Sequence, residues 1–291
     1  MSRPSPSRTT LMCSFACLAL ILVLAIRAVA HGDFEERIRA ANRAVEATPS
    51  NPEPRLIRAE LHRRHGNFAA ALKDLDDASQ LSPVPDRLDY LRAQIYLDSD
   101  RHAAAESLLR DFLKRHPEHP AAHEAYARAL LQLERPLAAA RAYDLAIALK
   151  PVPSPDAFIE RARALAAAGH LHLEEAIRGI DAGIALIGPV LTLEQVAIDL
   201  ELRLGAIDAA LARLEVIQAR STRRETWLAQ RGRILAQAGR SEEARQSFSL
   251  ALTALEQLPL RRRRTAATLR LESNIKADMA RLLPSQTKSA R

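Results

Sequence analysis

The sequence predicts an all-α protein, an α-solenoid in which tandem 34-residue helix-turn-helix repeats form a right-handed superhelix with a C-terminal capping helix. Pro49, Pro83, Pro117 and Pro151 follow one another at intervals of 34 residues, and a fixed period of this length is typical of repeat architectures. Small residues recur at the same interval inside the repeats. No window alternates apolar and polar residues as a half-buried strand would.

Residues 1–30 are predicted to be a signal peptide. Arg3 and Arg8 precede an apolar run over residues 11–26, and a small-residue cleavage pattern follows it. We expect cleavage before His31 and an exported protein, periplasmic or secreted. The alternative is an uncleaved N-terminal signal anchor, because the apolar run is only slightly shorter than the ~20 residues that a bilayer requires.

Residues 31–258 are predicted to form the repeat array. Its first part, 31–51, is a half repeat, because the signal peptide stands where the partner helix should be. A basic capping helix over 259–284 and a disordered tail over 285–291 complete the chain. The predicted full repeats span about 52–85, 86–119, 120–153, 154–190, 191–224 and 225–258.

Each repeat is predicted to contain two helices that meet at a tight turn. In the first full repeat, the helix over 55–65 ends at Gly66, which reaches positive φ without a Cβ penalty. Asp100 and Glu134 occupy this turn in the next two repeats, and glycine returns in the later ones at Gly169, Gly205 and Gly239.

Other signals mark the starts of helices. Pro120, Pro136 and Pro155 occupy first-turn positions, where a missing N–H is harmless. Thr192 and Thr222 each precede a Gln or Glu by three residues, which is the spacing of a capping box.

Two columns of small residues predict close contact between helices, because ridges pack into grooves only where no long side chain intervenes. The first lies in the first helices and contains Ala59, Ala93 and Ala127. The second lies in the second helices and contains Ala71, Ala105, Ala139, Ala176, Ala210 and Ala244.

In their spacing, these columns and the prolines resemble the tetratricopeptide repeat family. In that family's 34-residue pattern, small residues occupy the eighth, twentieth and twenty-seventh positions and proline the thirty-second. The resemblance covers 31–258 and is closest over 225–258. It implies a fold rather than an activity, because such a fold serves many unrelated ligands.

The resemblance also implies a binding groove on the concave face, formed mainly by the first helices. Arginine is common at its positions, and its bidentate guanidinium suits the carboxylates of an extended acidic peptide. For any one residue the alternative is ordinary solvent-exposed helix surface. The candidate groove residues are Glu60, Arg63, Tyr90, Gln94, Arg128, Gln132, Arg163, Asp199, Arg203 and Arg233.

Charge is unevenly distributed along the chain. Residues 31–258 contain 30 basic and 33 acidic side chains, whereas 259–291 contain nine basic and two acidic ones. The predicted fold is therefore nearly neutral, and with 4% aromatic residues it offers no basic, aromatic face for nucleic acid. Arg261–Arg264 are expected to be a solvated helix start, with an acidic partner or weak contact with an anionic membrane as the alternative.

The chain carries no recognisable catalytic constellation. Cys13 and Cys17 are its two cysteines, and both lie in the predicted signal peptide, so the exported part has no disulfide or thiolate. Glycine-rich phosphate loops and nucleophile motifs are absent. We therefore expect a non-catalytic scaffold, without cofactor, that binds a protein or peptide.

Two alternatives remain open at this point. A metal-handling protein would use His116, His119 and His123, although no carboxylate or cysteine completes a recognisable site. A self-associating element would pair the half repeat over 31–48 with the same helix of a second copy.

Overall fold

The computed structural model describes residues 34–81 and 85–282, and these residues form fifteen α-helices, one 3₁₀-helix and no strand. The predicted all-α repeat fold is confirmed. The predicted signal peptide, the start of the half repeat, Pro83, the end of the capping helix and the predicted tail lie outside the described residues.

The helices are α1 (34–47), α2 (Glu53–Arg64), α3 (Phe68–Leu81), α4 (Pro85–Asp98), α5 (His102–Arg115), α6 (Pro120–Gln132), α7 (Pro136–Ala148), α8 (Pro155–Ala167), α9 (Leu173–Ile187), α10 (Leu191–Leu204), α11 (Ile207–Arg220), α12 (Arg224–Gln237), α13 (Ser241–Glu256), α14 (Leu260–Arg263) and α15 (Ala266–Arg281). The 3₁₀-helix His170–His172 occupies the extended turn before α9.

The chain divides after Leu133 into two compact units. The first contains α1 to α6 and the second contains α7 to α15. This division falls inside the predicted repeat 120–153, between its two helices. The proline interval gives no sign of it, because Pro117 and Pro151 keep the usual spacing across the boundary.

Within each unit, close helix contacts are made where alanines recur. Every alanine of the two predicted columns is fully buried, with 0% of its surface exposed. Because a methyl group is the largest side chain at these points, the paired helices approach closely and neighbouring side chains interlock. The exposed Ala44 of α1 is at a later position in the repeat, and α1 buries Ala41 instead.

The turns between paired helices have the predicted left-handed backbone. Gly66, Gly205 and Gly239 have φ angles of 80°, 84° and 75°. Asp100 and Glu134, at the equivalent turns, have φ angles of 59° and 55° although they carry a Cβ. The repeat therefore requires a left-handed residue here whatever the side chain.

The predicted prolines begin α6, α7 and α8, but the two predicted capping boxes are wrong. Helix α10 begins at Leu191 after Val190, and α12 begins at Arg224 after Arg223. Glu194 and Glu225 in the first turns of these helices are 5% and 2% exposed. Packing of the first turn therefore decides where these helices start, and threonine caps do not.

The core is a series of small clusters. In the first unit, one cluster joins α2, α3 and α4 around Leu75 and Ile95, and the next joins α4, α5 and α6 around Leu109 and Phe112. Because α4 contributes to both, each repeat is stabilised by its neighbour, as in other stacked-repeat folds.

Helix α1 is attached to α2 by polar and aromatic contacts. The guanidinium of Arg58 donates to both carboxylate oxygens of Asp74, at 2.9 and 2.6 Å, and to the side-chain oxygen of Asn42 on α1 at 2.9 Å. Phe34 stacks on His65 with ring centroids 3.6 Å apart. The half repeat thus has a partner helix within its own chain.

The basic C-terminal segment forms two helices, α14 and α15, whereas the sequence predicts a single capping helix over 259–284. Helix α14 ends at Arg263, and the hydroxyl of Thr265 accepts the backbone N–H of Thr268 to cap α15. On α15, Ile275 is fully buried, whereas Leu269 is 52% exposed.

Candidate functional site

A groove lies across α2 and α4 in the first unit, with a cavity volume of about 330 Å³. It brings together three of the predicted residues, Glu60, Tyr90 and Gln94. Apolar side chains form part of its wall, and one of them, Ile57, is 50% exposed. The remaining lining residues are Arg37, Leu56, Leu61, Arg64, Arg87 and Leu91.

The rim of this groove has an excess of positive charge. Arg37, Arg64 and Arg87 line it together with a single acidic residue, Glu60. Arg63 and Arg64 both donate to the Glu60 carboxylate, and these hydrogen bonds lower its pKa. Glu60 therefore stays ionised and orders the arginines around it.

Arg63 does not line the groove. Its side chain is 17% exposed and forms ion pairs with Glu60, at 2.7 Å, and with Asp98 of the following repeat. An arginine held by two carboxylates is satisfied, so Arg63 braces α2 against α4 rather than offering a contact to a ligand.

Tyr90 forms the centre of the groove floor. Its half-buried ring packs on Phe112 and His119, with centroid distances of 5.3 and 4.9 Å. Burial raises the pKa of its hydroxyl, which hydrogen-bonds to Gln94. The hydroxyl therefore remains a neutral donor and acceptor, which suits polar recognition of a peptide.

Arg128 and Gln132 are exposed on α6. Neither side chain is among the residues that line the cavity. The structure therefore leaves both predicted residues on the surface of α6, outside the groove lining.

The second unit has a separate groove across α8 and α10, with a cavity volume of about 490 Å³. The predicted residues Arg163, Asp199 and Arg203 line it together. Arg163 pairs with Glu160 at 2.6 Å, and Arg203 donates to the carbonyl oxygen of Ala166 at 3.1 Å.

The balance of charge in this second groove is the reverse of that in the first. Asp156, Glu160 and Asp199 outnumber Arg163 and Arg203 among its lining residues. The two grooves therefore favour different ligand charges.

Arg233 forms an ion pair with another residue of the chain. Its guanidinium lies 2.9 Å from Asp278 of α15, and α12 packs directly against α15. The helix that follows the last repeat thus covers the position at which a groove ligand would contact Arg233.

The three candidate histidines have other roles. His116 lies 2.9 Å from Asp86, His119 accepts the N–H of Ala122 at the start of α6, and His123 donates to the carbonyl oxygen of Pro117 at 2.7 Å. Within the described residues, no three His, Cys, Asp or Glu side chains come together as a metal site would require. Their geometry is that of a structured loop between repeats.

Sequence reasoning missed Arg37 and Arg87. Arg87 occupies the second position of its repeat, which the family pattern also assigns to the groove, so that pattern could have identified it. Arg37 lies on α1, and its contribution depends on how the half repeat packs, which no repeat position encodes.

None of the helices in the described parts of the chain combines the length and apolar character needed to cross a membrane.

The tetratricopeptide repeat family model matches residues 22–84 and 90–152. No curated protein matches the chain at a significant level.

Similar solved structures share the fold at low sequence identity. A tetratricopeptide repeat protein from Parabacteroides merdae is 18% identical, with a TM-score of 0.51, and the match covers 89% of this chain and 98% of that one. PilF from Pseudomonas aeruginosa is 17% identical, with a TM-score of 0.51 and coverage of 67% and 88%. The family model thus matches two segments that together make up less than half of the chain, and the solved structures share the repeat fold, so the chain is similar in fold to tetratricopeptide repeat proteins.

Proposed function

We propose that this protein is a non-catalytic scaffold outside the cytoplasm that binds an extended peptide segment of a partner protein. The observation that carries the proposal is the groove of the first unit, where Tyr90 and Gln94 line one cavity with the half-exposed Ile57 and three arginines. Apolar anchors with a polar rim are the usual composition of a protein-binding surface.

The first groove favours a peptide that combines an acidic and an apolar residue. Arg64 is paired with Glu60 and Arg87 with Glu53, and both arginines remain more than half exposed, unlike Arg63. Each can therefore also present its guanidinium to a carboxylate of a ligand, and a bidentate contact of this kind is directional. Ile57, which is 50% exposed, provides apolar surface in the same groove. The three arginines of the rim disfavour basic peptides by like-charge repulsion.

The second groove favours a different segment. Its lining has more carboxylates than guanidinium groups, so a peptide with at least one basic residue is the better electrostatic match. We infer that the two units recognise chemically distinct segments, whether from one partner or from two.

The proposed location rests on the sequence of residues 1–30, with its basic start, apolar run and small-residue cleavage pattern. Cell fractionation with N-terminal sequencing tests it. A mature N-terminus at His31 in the extracytoplasmic fraction is expected, and an unprocessed chain confined to the cytoplasm would refute the location.

Site-specific crosslinking tests the binding proposal. A photoreactive amino acid at Gln94, on the groove, is compared with one at Asp111, which is half-exposed on α5 and does not line the groove. We expect a defined adduct at position 94 in cells of the source organism, and its loss in an Arg64→Glu, Arg87→Glu background. Equal adducts at both positions, or an adduct that survives the charge reversal, would reject the groove as the binding surface.

A further inference from the structure

The start of the C-terminal segment forms a basic patch on the second unit, composed of Leu260, Arg261, Arg262, Arg264, Leu269 and Arg270. These six residues are exposed, and no acidic residue occurs between Gln257 and Leu271. Within the described chain, none of the four arginines forms an ion pair, whereas Arg163, Arg213, Arg233 and Arg240 of the same unit are paired with carboxylates.

The position of this charge in the helices makes it unfavourable in the isolated protein. Arg261 and Arg262 lie in α14, Arg264 lies immediately before α15, whose N-terminus Thr265 caps, and Arg270 lies within α15. The positive end of a helix dipole disfavours cations in the first turn, and neighbouring arginines repel one another as well. An external anion would relieve both effects.

The leucines give the patch an apolar component. Leu260 is 68% exposed and Leu269 is 52% exposed. The N–H of Arg264 donates to the carbonyl oxygen of Leu260, so that these two residues lie one helical turn apart. Exposed leucines flanked by arginines are typical of segments that lie in a membrane interface, with the arginines at the headgroups.

The patch is attached firmly to the repeat fold. Ile275 of α15 is fully buried in the core of α11 to α13, and Asp278 pairs with Arg233 at 2.9 Å. The charge therefore belongs to a fixed surface and not to a free tail. A fixed surface can orient the whole second unit when it binds.

We propose that this basic patch docks the protein on an anionic phospholipid surface. Guanidinium groups bind lipid phosphates and the two leucines enter the interface beside them. Hot spots of protein interfaces are enriched in Trp, Tyr and Arg and depleted in leucine. Residues 257–271 contain two exposed leucines and no aromatic residue, and for that reason we assign the patch to lipid.

Vesicle binding by the full chain tests this assignment. Sedimentation with phosphatidylglycerol and phosphatidylcholine vesicles gives the affinity, and hydrogen exchange of residues 259–270 shows whether this segment makes the contact. We expect stronger binding to phosphatidylglycerol, weakened by salt, with protection of 259–270. Absence of that protection on phosphatidylglycerol vesicles at low salt would overturn the proposal.

Two variants and one control sharpen the test. Arg261→Glu with Arg262→Glu should reduce binding to phosphatidylglycerol vesicles by more than ~30-fold, because two arginines at roughly 1 kcal/mol each are lost and two repelling carboxylates are added. The control, Arg141→Glu with Arg178→Glu, makes the same charge change at exposed sites on α7 and α9 and should have a much smaller effect. Leu260→Ser with Leu269→Ser should also weaken binding. Unchanged binding by the leucine variant would contradict interfacial insertion and favour an acidic protein as the partner.

Discussion

Glu134 shows how strictly the repeat controls its backbone. It has a φ angle of 55° at a turn where three other repeats place glycine with φ angles of 75° to 84°. A left-handed conformation costs a residue with a Cβ roughly 1–2 kcal/mol. The sequence predicts this turn correctly because the 34-residue register identifies the position even when the glycine is missing.

Replacement of this residue should stabilise the protein. Glu134→Gly removes the left-handed penalty, although glycine gives back part of the gain through its larger unfolded-state entropy, so we expect a net gain of about 0.5–1 kcal/mol in the free energy of unfolding. Asp100→Gly should gain less, because aspartate tolerates this conformation better than glutamate. Urea denaturation measures both, and a loss of stability in Glu134→Gly would contradict the strain.

The contact between α1 and α2 should depend on pH through His62. Burial lowers the pKa of this imidazole, and its Nδ1 has no hydrogen-bond partner within the described structure. The unfolded chain therefore binds the proton more readily than the folded chain. Stability is complete above the unfolded pKa of ~6.5 and decreases as the pH falls below it.

Urea denaturation at pH 7.5 and pH 5.5 tests this dependence. The wild-type protein should lose more stability on acidification than His62→Gln, which has no proton to bind. His170→Gln, at an exposed position, serves as the control and should behave like the wild type. Identical losses in all three proteins would show that His62 does not carry the effect.

At the scale of the helices, the small-residue columns are the most informative feature of the sequence. All nine alanines of the two columns are fully buried, because a methyl group is what the distance between paired helices admits. The starts of α10 and α12 could not be predicted in the same way. Glu194 and Glu225 are buried at these ends, and such tertiary packing outweighs the local preference for a threonine cap.

Gly232 allows the closest contact between α12 and α13. A Cβ at this position would lie 2.6 Å from the fully buried ring of Phe248. We expect Gly232→Ala to reduce the free energy of unfolding by about 1–2 kcal/mol, because overpacking exceeds the gain in helix propensity. The cost should shrink in a Phe248→Leu background.

Gly179→Ala provides the matched comparison within α9. Its new Cβ would meet only the mobile end of the Arg161 side chain, which can move away. Urea denaturation should therefore show a small change or a gain in stability for Gly179→Ala. An equal loss in both variants would show that the tight packing against Phe248 is not the cause.

For the whole molecule, the sequence predicts the architecture well and the binding site only in part. The 34-residue register places Glu60, Tyr90 and Gln94 in one groove and Arg163, Asp199 and Arg203 in another. It fails for Arg63 and Arg233, because their partners, Asp98 and Asp278, lie on other helices. A position in the repeat predicts which helix face carries a side chain. It does not predict whether the side chain is held by a carboxylate of another helix, as Arg63 and Arg233 are, instead of facing a ligand.

The division into two units is also absent from the register. It falls at Glu134, within an interval that the proline spacing treats as regular. The consequence concerns function, since the charge of each groove has to be considered by itself. A single average over the array would hide the basic rim in one unit and the acidic rim in the other.

Selection from a random peptide library, with the full chain as the target, tests the central claim most directly. The account predicts enrichment of peptides that combine acidic and apolar residues, with binding lost in Arg64→Glu, Arg87→Glu and retained in Arg178→Glu, Arg224→Glu. Enrichment of no sequence class, or equal binding by both double variants, would contradict the assignment of the first groove as a peptide-binding site.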